Sequence, residues 1–184
     1  MFRGPAMFDE VIRKDYAKDG ENERIQAFVD AGTAGGEVQM IGYYARFDPD
    51  PESRRFFTIT FPDIPWGVSQ GENEQDGRAM ALDLLRTVLA EHMRRGEEIP
   101  RPKSYRGARY RLISLPALEA AKVELYRVFL TSGMRKSELA RALGIPKTNV
   151  DRLFALSRKS RLDQMEAAFA ALGKRVEIAV RDAA

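Results

Sequence analysis

The sequence predicts an α+β protein in two parts: a small sheet of order β-β-β-α-β with one covering helix, then an all-helical unit ending in a short strand. Three observations predict it. Apolar residues alternate from Ile41 to Phe47 and again from Phe57 to Phe61, the period of half-buried strands. After Pro116 the spacing becomes helical, with Leu118, Ala121, Leu125, Val128 and Phe129 on one face. Charge is also divided: residues 1–100 hold 12 basic and 19 acidic side chains, net −7, and residues 101–184 hold 18 and 8, net +10. A basic module attracts phosphate and an acidic one repels it, so the two halves are expected to meet different partners.

Residues 1–39 show little periodicity and end in Ala31-Gly32-Thr33-Ala34-Gly35-Gly36, the composition of a leader without a core. Met40, just before the first strand, is the expected true start, with residues 1–39 a gene-model extension. The sheet unit is expected over residues 40–115. Ile41, Tyr43, Ala45 and Phe47 form its first strand and Phe57, Ile59 and Phe61 its second, with Asp48-Pro49-Asp50-Pro51 as a turn between them. A third strand runs from Trp66 to Gln70. Asn73 caps a helix whose apolar face is Ala81, Leu85, Val88, Leu89 and Met93, ended by Gly96 and Pro100. Tyr110 to Leu115 is the fourth strand. In the helical unit, residues 116–184, Gly144-Ile145-Pro146 splits two short helices. Ser160 with Asp163 has the spacing of a capping box opening a helix that Gly173 ends. Arg175 to Val180 alternates like a strand, placed to pair with a second copy of the chain.

Composition narrows the chemistry. The 44% hydrophobic and 31% charged content is ordinary for a globular protein. No run approaches the roughly 20 apolar residues of a membrane span, and the N-terminus has no signal-peptide layout, so a cytoplasmic location is expected. The chain has no cysteine and one histidine, which excludes disulfides, thiol nucleophiles and cysteine-ligated zinc. No cofactor and no metal are expected.

The window Lys136 to Phe154 carries the functional signal. Two short helices crossing steeply need a small residue at their approach, which Ala140 supplies, and a turn residue tolerant of positive φ, which is Gly144. Leu139, Leu143, Ile145, Val150 and Leu153 form the apolar seam. This is the pattern of a DNA-binding helix-turn-helix, although a plain helical hairpin shares the apolar spacing. The second helix would enter the major groove with its N-terminal side chains nearest the bases. Lys147, Thr148, Asn149 and Arg152 are the candidate base contacts, since Arg or Lys suits guanine and Asn suits adenine. Arg135, Lys136, Arg158 and Lys159 flank the motif as candidate phosphate contacts. Asp151 is expected to orient Arg152 or face solvent. Arg135 stands where a capping Ser, Thr or Asn is usual.

Two further motifs complete a resemblance. Phe61-Pro62-Asp63-Ile64-Pro65 leads into Val68-Ser69-Gln70-Gly71-Glu72-Asn73, and Ser160-Arg161-Leu162-Asp163-Gln164-Met165-Glu166 is followed by Ala171-Leu172-Gly173-Lys174-Arg175-Val176. With the helix-turn-helix, from about Met40 to Val180, the chain resembles the HicB family of antitoxins. It departs from that pattern at Trp66-Gly67, where Gly-Cys is usual, at Asn73 for Thr, and at Gly77 where Ala is common. The resemblance implies a partial ribonuclease-H-like N-terminal domain that neutralises a small basic, mRNA-cleaving HicA-like toxin. It also implies a C-terminal domain that represses the shared operon by binding operator DNA. Palindromic operators imply a homodimer or a dimer of dimers.

Two other readings stay open at this stage. A ribonuclease-H-like nuclease would hold metals through clustered carboxylates, and Asp48, Asp50, Asp63, Glu72 and Asp76 lie in or beside the sheet. Most occupy turns or the helix start, where acids cap or favour the dipole, so an enzyme is not expected. A stand-alone transcription regulator would sense a ligand through its N-terminal domain, yet no Gly-rich phosphate loop or metal site stands there. His92 and Trp66 are expected in the core or at its rim.

Overall fold

The computed structural model describes residues 42–50, 56–64 and 66–178. The expected leader, the start at Met40, and Ile41 lie outside the described residues. Strands β1 (Gly42–Pro49), β2 (Phe57–Thr60), β3 (Ser69–Gly71) and β4 (Tyr110–Ser114) form one antiparallel sheet in the order β3-β2-β1-β4. Helix α1 (Glu74–Arg95) crosses it between β3 and β4. Then follow α2 (Ala117–Ser132), α3 (Lys136–Leu143), α4 (Lys147–Phe154) and α5 (Leu162–Ala171). The architecture is mixed α+β, as the two periodicities predict.

Register assigns the two sheet faces. Tyr43 pairs with Ile113, Ala45 with Arg111 and Phe47 with Ile59. Side chains alternate along a strand, so these residues share the face under α1. Ala81, Leu85, Val88, Leu89 and Met93 of α1 are all buried, the stripe that its spacing predicts. The opposite face carries Tyr44 with Leu112, Arg46 with Thr60 and Tyr110, and Asp48 with Thr58. Tyr44 is nevertheless only 8% exposed, because the loop before β4 lays Tyr105 edge-on against it, ring centroids 6.4 Å apart. Simple alternation misses this second buried layer.

Local chemistry sets the ends of α1. Asn73 Oδ1 accepts the Asp76 N–H at 3.0 Å, the expected cap, and Gly96 closes the helix at φ 73°. The third strand is shorter and later than its expected span of Trp66 to Gln70. Gly67 sits at φ +97°, and a Cβ there would stand 2.8 Å from Val88 Cγ1, so the chain is bent and pressed on α1 before it can pair. A second close approach explains the glycine at position 77. A Cβ on Gly77 would meet Phe47 Cε1 at 2.6 Å, and one on Gly71 would meet the Gly77 Cα at 2.5 Å. At Gly71 the strand and helix backbones are in direct contact, with no flexible side chain between them to yield. Gly71→Ala should therefore cost about 1–3 kcal/mol by overpacking, read as a lower denaturation midpoint.

The helical unit packs around α2. Val123, Leu125, Tyr126 and Phe129 are buried as a stripe, with Lys122 among them, whereas the expected Leu118, Ala121 and Val128 are only partly covered. The face is rotated because α2 serves two neighbours. Tyr126 donates its hydroxyl to the Glu97 carbonyl at 3.0 Å beside the end of α1, while its ring and that of Phe129 pack on Phe154 of α4. Helix α5 starts one residue later than Ser160 with Asp163 predicts: Arg161 is its N-cap, and its backbone N–H donates to Gln164 Oε1. The expected C-terminal strand is absent over its described part. Residues 174–178 follow the α5 end with no strand pairing among the described residues, and Ile178 is 65% exposed. Residues 179–180 lie outside the described residues.

Candidate nucleic-acid interface

Helices α3 and α4 form the pair that the Lys136 to Phe154 window predicts. Leu139, Ala140, Val150 and Leu153 are buried at their seam, and Leu143 and Ile145 pack beside it. Gly144 joins them at φ 63°, its following N–H (Ile145) donating to the Ala140 carbonyl at 3.0 Å. The start of α3 resolves the missing cap. Glu138 reaches back to accept the Arg135 backbone N–H at 2.8 Å and pairs with its guanidinium at 2.6 Å. The carboxylate supplies the reciprocal half of a capping box by accepting the N-cap N–H, and the Arg135 pairing holds the Glu138 carboxyl below its usual range.

The buried side of α4 is Val150, Leu153 and Phe154. That leaves Lys147, Thr148, Asn149, Asp151 and Arg152 exposed. Lys147, Thr148, Asn149 and Arg152 have no side-chain hydrogen bond or ion pair among the described residues. Asp151 does not orient Arg152. It binds Lys136 Nζ at 2.7 Å instead, tying α4 to α3, with the same ammonium 5.8 Å from the centre of the Phe154 ring. Of the four flanking cations, Arg135 and Lys136 are therefore paired within the chain, while Arg158 and Lys159 are exposed and free of side-chain partners among the described residues. Asn149, Arg152 and Lys159 line one groove of about 370 Å³ between α4 and α5. Arg158, Lys159 and Lys136 border a larger groove of about 990 Å³ running toward α1.

Lys122 holds this face in place and was not singled out by sequence. It is completely buried. Its ammonium donates to the carbonyls of Arg152 at 3.2 Å, Ala155 at 2.7 Å and Arg158 at 2.6 Å. All three donors of the group are used, at the C-terminal end of α4 where the helix dipole favours a cation. Burial pulls its pKa below the ordinary lysine value, opposed by the Glu119 charge. The signal was in the spacing: position 122 falls between Leu118, Leu125 and Phe129 on the apolar stripe.

Asp48, Asp63 and Asp76, near the sheet, have structural partners. Asp48 pairs with Arg46 and Arg109, Asp63 accepts the Tyr105 hydroxyl and the Lys103 N–H, and Asp76 accepts the Glu72 N–H. No group of three or more potential metal ligands stands together among the described residues. His92 is buried against the Trp66 ring, centroids 5.4 Å apart. Glu74 pairs with the buried Arg111 at 2.7 Å. Burial raises the Glu74 pKa, but the Arg111 and Arg78 contacts outweigh it and the net shift is downward from 4.5. Its stabilising contribution is present above that ordinary value and lost as pH falls through the lowered one. Glu74→Gln should cost about 1 kcal/mol, discounted for its part-exposure. The difference from the unmodified chain should vanish in acid-titrated denaturation.

The charge division moves once the sheet is drawn. Strand β4 ends at Ser114 and brings the basic run from Arg101 to Arg111 into the sheet unit. Residues 40–115 then carry 12 basic and 11 acidic side chains, net +1, and residues 116–184 carry 13 and 8, net +5. The helical unit is basic, but the sheet unit is not acidic as a whole. No helix of the described residues is long and apolar enough to cross a membrane.

Comparison with known proteins agrees with this layout. Residues 42–124 match the family described as HicB-like antitoxin of bacterial toxin–antitoxin systems. The chain is 33% identical over 136 residues to Antitoxin HicB of Escherichia coli K12, covering 74% of this chain and 96% of that protein. It is 29% identical over 143 residues to Antitoxin HicB 1 of Photorhabdus laumondii, covering 78% and 89%. Antitoxin HicB of Pseudomonas fluorescens is 33% identical over 125 residues, covering 68% and 86%. The sheet with its single helix, the helices that follow it and these relatives together place the chain in the HicB family of bacterial antitoxins.

Proposed function

We propose that this antitoxin neutralises a small basic, mRNA-cleaving HicA-like toxin through its sheet unit, residues 40–115, and represses its own operon through residues 116–184. In this reading α3 and α4 are a helix-turn-helix, the sheet unit is a partial ribonuclease-H-like domain, and the protein acts in the cytoplasm without enzymatic activity of its own. The observation that carries the DNA half is the outer row of α4. Lys147, Thr148, Asn149 and Arg152 stand exposed, without side-chain partners among the described residues, on a helix whose other side is locked by Val150, Leu153 and Phe154. Side chains that read bases must be free to bond and rigidly presented. Arg158 and Lys159, just past the end of the helix, would hold phosphates. Arg135 and Lys136 would contribute only by trading Glu138 and Asp151 for DNA. The toxin half rests on family membership, since the sheet unit's net charge of +1 gives it no electrostatic support. A single motif offers little contact area, so a homodimer or dimer of dimers on a palindromic operator is the expected binding form.

Co-expression with the adjacent small open reading frame tests the proposal. Growth arrest by that frame alone, rescued by this chain and accompanied by co-purification, is the expected result. No rescue, or an operator shift that depends on a small ligand, would favour the stand-alone regulator instead.

A further inference from the structure

The sheet face away from α1 combines aromatic rings with unneutralised cations. Register puts Tyr44, Arg46 and Tyr110 on that face, and Tyr105 from the preceding loop stacks on Tyr110, centroids 5.2 Å apart and planes inclined by 21°. Tyr105 is pinned by its hydroxyl, which donates to Asp63 at 2.9 Å. That bond and the Lys103 N–H to the same carboxylate use both Asp63 oxygens. Around the rings the loop presents Arg101, Lys103 and Arg106, all exposed and without side-chain partners among the described residues. Residues 101–111 contain five basic and no acidic side chains, and only Arg109 and Arg111 are paired, with Asp48 and Glu74. Helix α1, which contacts all four strands, lies on the other side of the sheet.

We infer that this face, centred on Tyr105 and Tyr110 and edged by Arg101, Lys103 and Arg106, is a binding surface for single-stranded RNA. Cations alone would fit any anion. Tyrosine rings fixed on a sheet add planar faces on which unpaired bases stack, the combination that suits a single strand over a duplex or an acidic peptide. A basic toxin is a poor fit for the same patch, because like charges repel. The surface is separate from α4, so the chain would hold two nucleic-acid sites with different preferences.

The test uses the full chain carrying Lys147→Ala and Arg152→Ala, which silences α4, and a labelled single-stranded RNA of about 12 nucleotides. Fluorescence anisotropy should still report binding. Adding Arg101→Ala, Lys103→Ala and Arg106→Ala should weaken it at least ~10-fold and flatten the log–log salt slope by about 2, the loss of three phosphate contacts on a single strand. Tyr105→Leu should also weaken it, and more than Tyr105→Phe, which retains the ring and loses only the bond to Asp63; circular dichroism confirms that each variant is folded. RNA binding absent from the α4-silenced chain, or unchanged by the loop variants, would overturn the inference. So would loop variants that release a co-purifying toxin and leave RNA affinity intact.

Discussion

Replacing Lys122 with methionine is expected to destabilise the protein by about 2–4 kcal/mol, although no ligand contact is lost. The side chain has similar reach and would fill the same space, so little cavity is created. What disappears is the ammonium that donates to the Arg152, Ala155 and Arg158 carbonyls. The Arg152 and Ala155 carbonyls keep backbone donors in the Ala155 and Arg158 N–H groups, so the cost is that of three lost charge-assisted bonds, about 1.5–3 kcal/mol each at most, offset in part by relief of the buried charge. The same change should loosen the end of α4 and the turn that carries Arg158 and Lys159. Urea denaturation reads the stability, and hydrogen exchange reads the local effect, with faster exchange expected from Ala155 to Lys159. An unchanged midpoint would mean that Lys122 is not the clamp described here.

The second large effect concerns DNA. Lys147→Ala, Asn149→Ala and Arg152→Ala combined should abolish discrimination for the operator, since each bidentate base contact contributes about 1–3 kcal/mol. All three side chains are exposed and none has a side-chain partner within the described chain, so the fold should be intact. Circular dichroism and the denaturation midpoint should match the unmodified chain while operator affinity falls at least ~100-fold. A triple variant that binds its operator normally would remove α4 from the recognition surface.

Most of the scaffold was legible because period and punctuation agreed. Asn73 and Gly96 mark the ends of α1, and the Ala81 to Met93 stripe sets its buried side before any neighbour is known. Ala140, Gly144 and Val150 did the same for α3 and α4. The failures share a cause, which is that partners distant in sequence decided the outcome. Lys122 looks like a solvated cation until the α4 carbonyls converge on it. Asp151 looks like the neighbour of Arg152, yet the α3–α4 crossing delivers Lys136 to it. Tyr44 should face solvent by alternation but is covered by Tyr105, 61 residues further on. The charge division at residue 100 was real in the sequence, but β4 carries its basic flank back into the sheet.

If α4 reads sequence while the cations beyond it hold the backbone, as proposed, two single variants will separate the roles. Binding of the full chain should be measured by mobility shift on its own upstream DNA and on a scrambled duplex, for Arg152→Ala and Lys159→Ala. Arg152→Ala should lose about 1–3 kcal/mol on the operator and little on scrambled DNA, whereas Lys159→Ala should weaken both alike and lower the salt slope by about 1. Equal losses on both duplexes for both variants, or no preference of the unmodified chain for its upstream DNA, would contradict the proposal.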